Sequence, residues 1–345
     1  MYPASGASIS LGGDEGRGGT LSTLQHLLQL AHSPEVDKQL NAAVDLSKMV
    51  EGSVFPVVSF GPLAHALCHL VASEHRTTAS YAARGIKVLL LDDALRPQAV
   101  VAGIPAVLVE AVRYWEEEVP CLRELLGALQ TLSWDKSTVQ AVVDAGAVLP
   151  LTELLDTTDL ELKLLATATA ANVLAFSDTL LLTNEPCIDT FSDAMEDLLE
   201  AAKSREKAIR CYSVAAIANA CAHPVLGGRV KELGGLELLR ELEAKTSKAG
   251  GGMGGFGLTG RGTRVSECVD TALLRLTGGG GDLEAGGWGG SATRKYSFKW
   301  GNKPLVELTL DSRAHRIRLG MCFCVWVVLI VMLFRPVLLQ QQTVM

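Results

Sequence analysis

The sequence predicts an all-α protein, a solenoid of about six helical repeats. Three observations predict it. Leu and Ala dominate a 345-residue chain with only 5 % aromatics, a composition that favours helices over sheets. A glycine followed by an apolar helix recurs about every 42 residues. No period-two alternation recurs between residues 20 and 245.

The elements follow in order. Residues 1–19 are rich in Gly and Ser, lack the basic and apolar regions of a secretory signal, and read as a flexible leader. The array spans 20–278. Its anchors are Gly19, Gly61, Gly103 and Gly146, spaced by 42, 42 and 43 residues; Gly234 comes 88 residues later, two units of 44 with the missing copy near Asp189. The phrase reads AVVAGIPAVLVEAV at 99–112, AVVDAGAVLPLTELL at 141–155 and, more weakly, RVKELGGLELLREL at 229–242. An Ala-rich helix follows each anchor, at 41–50, 79–91, 122–134, 164–176, 211–222 and 266–278. Small residues let these helices approach closely, and Leu, Ile and Val at spacings of three and four supply the core stripe.

Two Gly-rich runs interrupt this pattern: an insertion at 249–262 and a linker at 279–291. Beyond them, Tyr296, Phe298 and Trp300 alternate with polar residues, as do Val306, Leu308 and Leu310, on either side of Gly301–Pro304. That is the signature of a small β-hairpin within 292–318, a stretch that ends on the basic residues Arg313, Arg316 and Arg318. Residues 319–334 are sixteen residues without a charge, about 24 Å as a helix, and the stretch extends to 339 across Arg335 and Pro336. Trp326, Val327, Val328, Leu329 and Ile330 would sit in the bilayer, with Arg318 and Arg335 at its edges. Residues 340–345 form a short tail. This is the layout of a carboxy-terminal membrane anchor; a buried part of a small terminal module is the alternative.

From Val139 through Asp144-Ala145-Gly146 to Ala171-Asn172-Val173, and again over 99–132, the repeat resembles the armadillo family. The resemblance covers 20–278. It implies a right-handed α-solenoid of three-helix units whose third helices line a concave groove for proteins or extended peptides, without catalysis. In that family an Asn on the third helix holds a bound peptide's main chain. Asn172 and Asn219 occupy that position here, and Lys48, Val88, Thr131 and Arg275 align with it. Asn172, Asn219, Thr131 and Lys48 are therefore the expected groove residues, and a helix cap or an inter-repeat hydrogen bond is the alternative for the two Asn. Import adaptors of the family carry Trp four residues before the Asn; Ala168 and Ala215 stand there, which departs from an import receptor.

Charge and chemistry narrow the function class. The net charge of −7, acidic over 1–290 and basic over 291–345, argues against nucleic acid as a partner. Cys68, Cys121, Cys187, Cys211, Cys221 and Cys268 show no metal or redox spacing and read as core thiols. Gly252, Gly254 and Gly257 match G-x-G-x-x-G without the strand and helix that would make it a nucleotide loop. His65 and His69 share a helix face at i and i+4, with Cys68 pointing elsewhere and no third ligand in sight. No cofactor, metal or small-molecule substrate is expected. The expectation is a non-catalytic scaffold or adaptor that binds a protein partner, as an extended peptide or a helical surface, through its concave groove and is tethered by its carboxy terminus to the cytosolic face of an intracellular membrane. The alternative is a soluble cytoplasmic regulatory subunit of a trafficking or ubiquitin pathway, with a folded terminal module; a nuclear import receptor comes third.

Overall fold

The computed structural model describes residues 16–52, 60–176, 185–249 and 265–277, and no strand occurs among them. The helices group into six units. Unit 1 holds α1 (Gly16–Ala31) and α2 (Val36–Glu51); unit 2 holds α3 (Phe60–Val71) and α4 (Arg76–Leu89). Unit 3 has three helices, α5 (Arg96–Val101), α6 (Ile104–Tyr114) and α7 (Val119–Leu132). Unit 4 repeats them as α8 (Lys136–Asp144), α9 (Val148–Glu153) and α10 (Leu160–Leu174). Units 5 and 6 follow as α11 (Glu185–Asp193), α12 (Met195–Ala201), α13 (Lys207–Ala220), then α14 (Pro224–Glu232), α15 (Gly235–Ala249) and α16 (Val265–Leu276).

The Ala-rich helices are the last of each unit, and they stack in order: α2 on α4, α4 on α7, α7 on α10, α10 on α13 and α13 on α16. Their contact faces are small. Ala42, Ala43, Ala79, Ala82, Ala83, Ala128, Ala168, Ala171, Ala215 and Ala218 are all fully buried, and side chains this small let neighbouring backbones come close. The preceding helices form a second layer, α1 against α3 and α3 against α6, which buries Leu63, Leu67, Leu70, Ile104 and Leu108 between layers.

The anchor glycines have a conformational cause. Gly103, Gly146 and Gly234 are the positive-φ glycines among the described residues, at +76°, +80° and +75°. Each reverses the chain between the first and second helix of its unit. The left-handed geometry lets the Gly146 amide donate to Val143 O at 2.9 Å and the Ala147 amide to Val142 O at 3.3 Å, closing carbonyls at the end of α8. A Cβ at Gly103 would meet nothing within 4 Å, so Gly103→Ala isolates the torsional cost, about 1–2 kcal/mol. A lower urea midpoint with an unchanged slope is the expected result.

Three sequence expectations change. The missing fifth anchor is Ala194, whose φ of −78° turns the chain from α11 into α12 without a left-handed residue. Gly61 and Gly19 lie inside α3 and α1, so the anchor phase holds from unit 3 onward. α1 opens at Gly16, four residues before the array start read from the sequence. The hairpin, the linker at 279–291 and the segment 319–339 lie outside the described residues, as does all but Ala249 of the insertion.

Candidate functional site: the stacked third helices

The exposed stripe of the third helices changes character along the stack. On α2 it runs through Asn41, Asp45 and Lys48, and on α4 through Tyr81 and Arg84. From Leu125 on α7, Leu164 on α10 and Cys211 on α13, every remaining residue of these helices is buried. Their sequences explain it. LLATATAANVL in α10 is apolar or small on all sides, and such a helix has no wet face.

This corrects the groove assignment. Asn172 and Asn219 are 0 % and 2 % exposed, so neither amide is presented to an open face. Asn172 Nδ2 donates to Ser133 Oγ at 2.9 Å, and Asn219 Nδ2 donates to Ala171 O at 2.9 Å. Arg275, at the same repeat position, donates to Ala218 O. Each side chain reaches back to the preceding unit, and the last two bind the residue just before the previous unit's equivalent position. They stitch unit to unit. Thr131 is buried as well and donates its hydroxyl to Gly127 O at 2.8 Å, within its own helix. Of the four expected groove residues only Lys48 is exposed, lying 3.4 Å from Asp45 on the same helix.

The sequence reading missed a charged ladder across the first half of the stack. Arg84 of α4 pairs with Glu51 at the end of α2 at 2.5 Å. Lys87 of α4 reaches forward to Glu124 of α7. Its stem passes over Gly127, where a Cβ would lie 2.8 Å from Lys87 Cδ; Gly127 is the gap that lets this buried lysine cross. Arg123 Nη2 donates to Asp159 at 2.8 Å, and its Nε lies 2.9 Å from Glu161 without hydrogen-bond alignment. Four third helices are thus joined by pairs of opposite charge. The signal was present as spacing: donor and acceptor differ by 33 to 38 residues, a little under one repeat.

Environment sets the protonation of two of these acids. Burial pushes the Glu161 carboxyl above the usual range; Arg123 opposes that shift, and Asp159 and Glu124 add to it. At Asp159 burial also pushes upward, but the amides of Leu162 and Glu161 and the Arg123 guanidinium outweigh it and hold the carboxyl below its ordinary value. Asp159 is also the N-cap of α10, accepting from Glu161 N and Leu162 N at 3.0 Å each. Its pKa is depressed on folding, so its contribution is present above the unfolded-state value and is lost as pH falls through the folded one. Asp159→Ala should cost about 1 kcal/mol at neutral pH through the lost cap. The difference from the parent should shrink in an acid titration followed by circular dichroism.

No family model and no curated protein matches the chain. Solved structures do. A computationally designed armadillo-repeat protein for modular peptide recognition is similar with a TM-score of 0.60 at 20 % identity, over 73 % of this chain and 99 % of that one. A designed armadillo-repeat protein in complex with a (KR)4 peptide has a TM-score of 0.57 at 18 % identity, over 73 % and 99 %. An engineered protein gives 0.58 at 24 % identity, over 75 % and 98 %. At these identities the likeness establishes the fold, an armadillo-like helical-repeat array.

Proposed function

We propose that this chain is a non-catalytic protein-binding scaffold that receives a segment of its partner along the exposed stripe of α2 and α4 and the partly exposed first turns of α7 and α10. The observation that carries this reading is the ladder Arg84–Glu51, Lys87–Glu124 and Arg123–Asp159/Glu161, charged groups of both signs in fixed register on successive units. A partner with alternating charges can exchange these pairs one for one, which gives specificity and register more than raw affinity. The designed neighbour in complex with a (KR)4 peptide supports the use of this fold to hold a charged peptide.

A photo-crosslinking amino acid tests the reading. Placed at Arg84 or Glu124, it should capture the partner. Placed at Val101 or Val225, which are 90 % and 55 % exposed in the first-helix layer, it should not. Adducts from the second pair alone would overturn the assignment.

The finer reading is a scaffold tethered to the cytosolic face of an intracellular membrane through residues 319–339. The uncharged run 319–334 with its flanking Arg318 and Arg335 supports it. No helix among the described residues is long and apolar enough to cross a membrane, so the tether rests on that segment alone. The chain should remain in the carbonate-washed membrane pellet, and a chain ending at residue 318 should be released. A full-length chain extracted by carbonate would favour the soluble regulatory reading.

A further inference from the structure

The second helices of units 3 and 4 leave a cleft between them. α6 has eleven residues and α9, its counterpart, only six. Where α9 ends, at Glu153 and Leu154, the last turn of α6 stands beside it and a cavity of about 310 Å³ opens to solvent. Val112, Leu122, Pro150 and Leu154 give it an apolar lining, and Arg113, Glu116 and Glu153 are its charged edge. Arg113 is already engaged: it donates to Gly146 O at 3.0 Å and lies 3.4 Å from Glu110. Glu116 and Glu153 are exposed carboxylates, one just beyond α6 and one on α9, and no cation among the described residues pairs with either.

We propose that this cleft docks a basic, apolar segment of a protein partner: one leucine, methionine or phenylalanine side chain seated between α6 and α9, with lysine or arginine neighbours reaching Glu116 and Glu153. Charge complementarity selects this occupant. Over residues 110–118 and 149–156, Glu110, Glu116, Glu117, Glu118, Glu153 and Asp156 stand against the single cation Arg113. The acidic surface continues into unit 5. Burial raises the Asp197 carboxyl above its ordinary range, and Asp156 and Glu196 raise it further against the pull of Lys163. Like charges held this close are relieved by a partner's cations.

The apolar side of the partner also finds its complement. Tyr114 is 63 % exposed at the end of α6, and Leu149 is 53 % exposed on α9, one turn before Glu153. Lysine and arginine lay their methylene stems on such surface while the charge stays at the carboxylates. Tyr114 and Trp115 meet edge to face at 4.8 Å between centres, an aromatic pair beside the acids that suits a cation. The cleft belongs to the second layer, apart from the exposed stripe of the third helices, so the two sites stand or fall independently.

The probe is a fluorescein-labelled peptide with one leucine between paired lysines, KKLKK in Gly-Ser flanks, compared with KKSKK. Anisotropy titration of the full-length chain should show one site per chain and at least about tenfold tighter binding of the leucine peptide. Glu116→Lys combined with Glu153→Lys should weaken that binding about tenfold or more. Glu74→Lys combined with Glu232→Lys makes the same change in net charge at exposed positions on other units and should leave it near the parent value. Matching melting curves for the two double variants separate loss of the site from unfolding. With photo-leucine in place of the leucine, adducts should fall within 112–122 and 148–154. Adducts on α2 or α4 would place the peptide on the third-helix stripe and overturn the proposal. So would equal affinity for the two peptides, or equal affinity of the two double variants for the leucine peptide.

Discussion

Arg96→Ala should be among the most destabilising single substitutions in the array, at about 3–5 kcal/mol. Arg96 is an arginine with no exposed side chain. Its Nε donates to Asp135 at 2.7 Å and its Nη1 to Leu90 O at 2.9 Å, and Nη2 pairs with Asp93. The guanidinium lies 5.5 Å from the centre of the Trp134 ring. One residue of α5 thus satisfies the chain leaving α4, holds the residue that precedes α8, and packs on an indole from the end of α7. Alanine would leave Asp135 partly buried without this cation and open a void beneath Trp134. Arg96→Lys should recover less than half of the loss, because an ammonium keeps the charge but lacks the planar fork that serves three acceptors and stacks on an aromatic face. Denaturant unfolding, with hydrogen exchange over 96–145 to locate the damage, checks both substitutions. A parent-like midpoint for Arg96→Ala would show that this cluster holds nothing together.

Asn219→Asp should cost about 3 kcal/mol at neutral pH, although the two side chains have nearly the same shape. The amide nitrogen that donates to Ala171 O would become a carboxylate oxygen facing a carbonyl oxygen in a site that is 2 % exposed. Burial would raise the folded-state pKa of this new acid. The deficit is therefore full above the folded-state value, and stability returns as pH falls towards the unfolded-state value and the group is protonated. Asn219→Ala should cost less, about 1–2 kcal/mol, because Ala171 O keeps the Ala175 amide at 3.0 Å. The pH dependence separates roles. An Asn presented to solvent for a ligand would tolerate Asp with little change in melting temperature, so a parent-like Asn219→Asp would restore the groove reading.

These results bear on what the sequence could reveal. The glycine spacing was legible because a left-handed turn has one inexpensive solution, and Gly103, Gly146 and Gly234 all take it. The fifth turn was not, since Ala194 makes the same reversal with ordinary dihedrals and leaves no mark in composition. For Asn172 and Asn219 the sequence leaves a groove contact and an inter-repeat hydrogen bond open, and the structure shows the second. An Asn within LLATATAANVL is equally compatible with an open face and with the next helix; only the distance between stacked units decides. The ring contacts of His32 with His65 and His69, at 5.4 Å and 4.7 Å between centres, were not legible, because nothing in a pattern of period 42 says that the end of α1 meets the middle of α3. The ion-pair ladder was readable in principle, since its partners sit a little under one repeat apart, but single charges carry no periodic signal strong enough to stand out from a solvated surface.

The joints between units differ in how exposed their polar links are, which bears on how the array comes apart. In a linear array, stability is a sum of each unit's own free energy and its coupling to the nearest neighbours. Between units 4, 5 and 6 that coupling includes the bonds from Asn219 and Arg275 to backbone oxygens, alongside close apolar packing. Between units 1, 2, 3 and 4 it includes pairs such as Arg84–Glu51 and Arg123–Asp159, whose side chains are 24–48 % exposed. Exposed pairs are screened as the Debye length shrinks from about 10 Å at 0.1 M salt to about 3 Å at 1 M, whereas buried hydrogen bonds are not. Ionic strength is thus a selective solvent variable for this chain: the joint between units 1 and 2 carries the exposed Arg84–Glu51 pair, whereas Lys87, Arg96 and Asn172 make buried links across the next two joints, so concentrated salt should loosen unit 1 first.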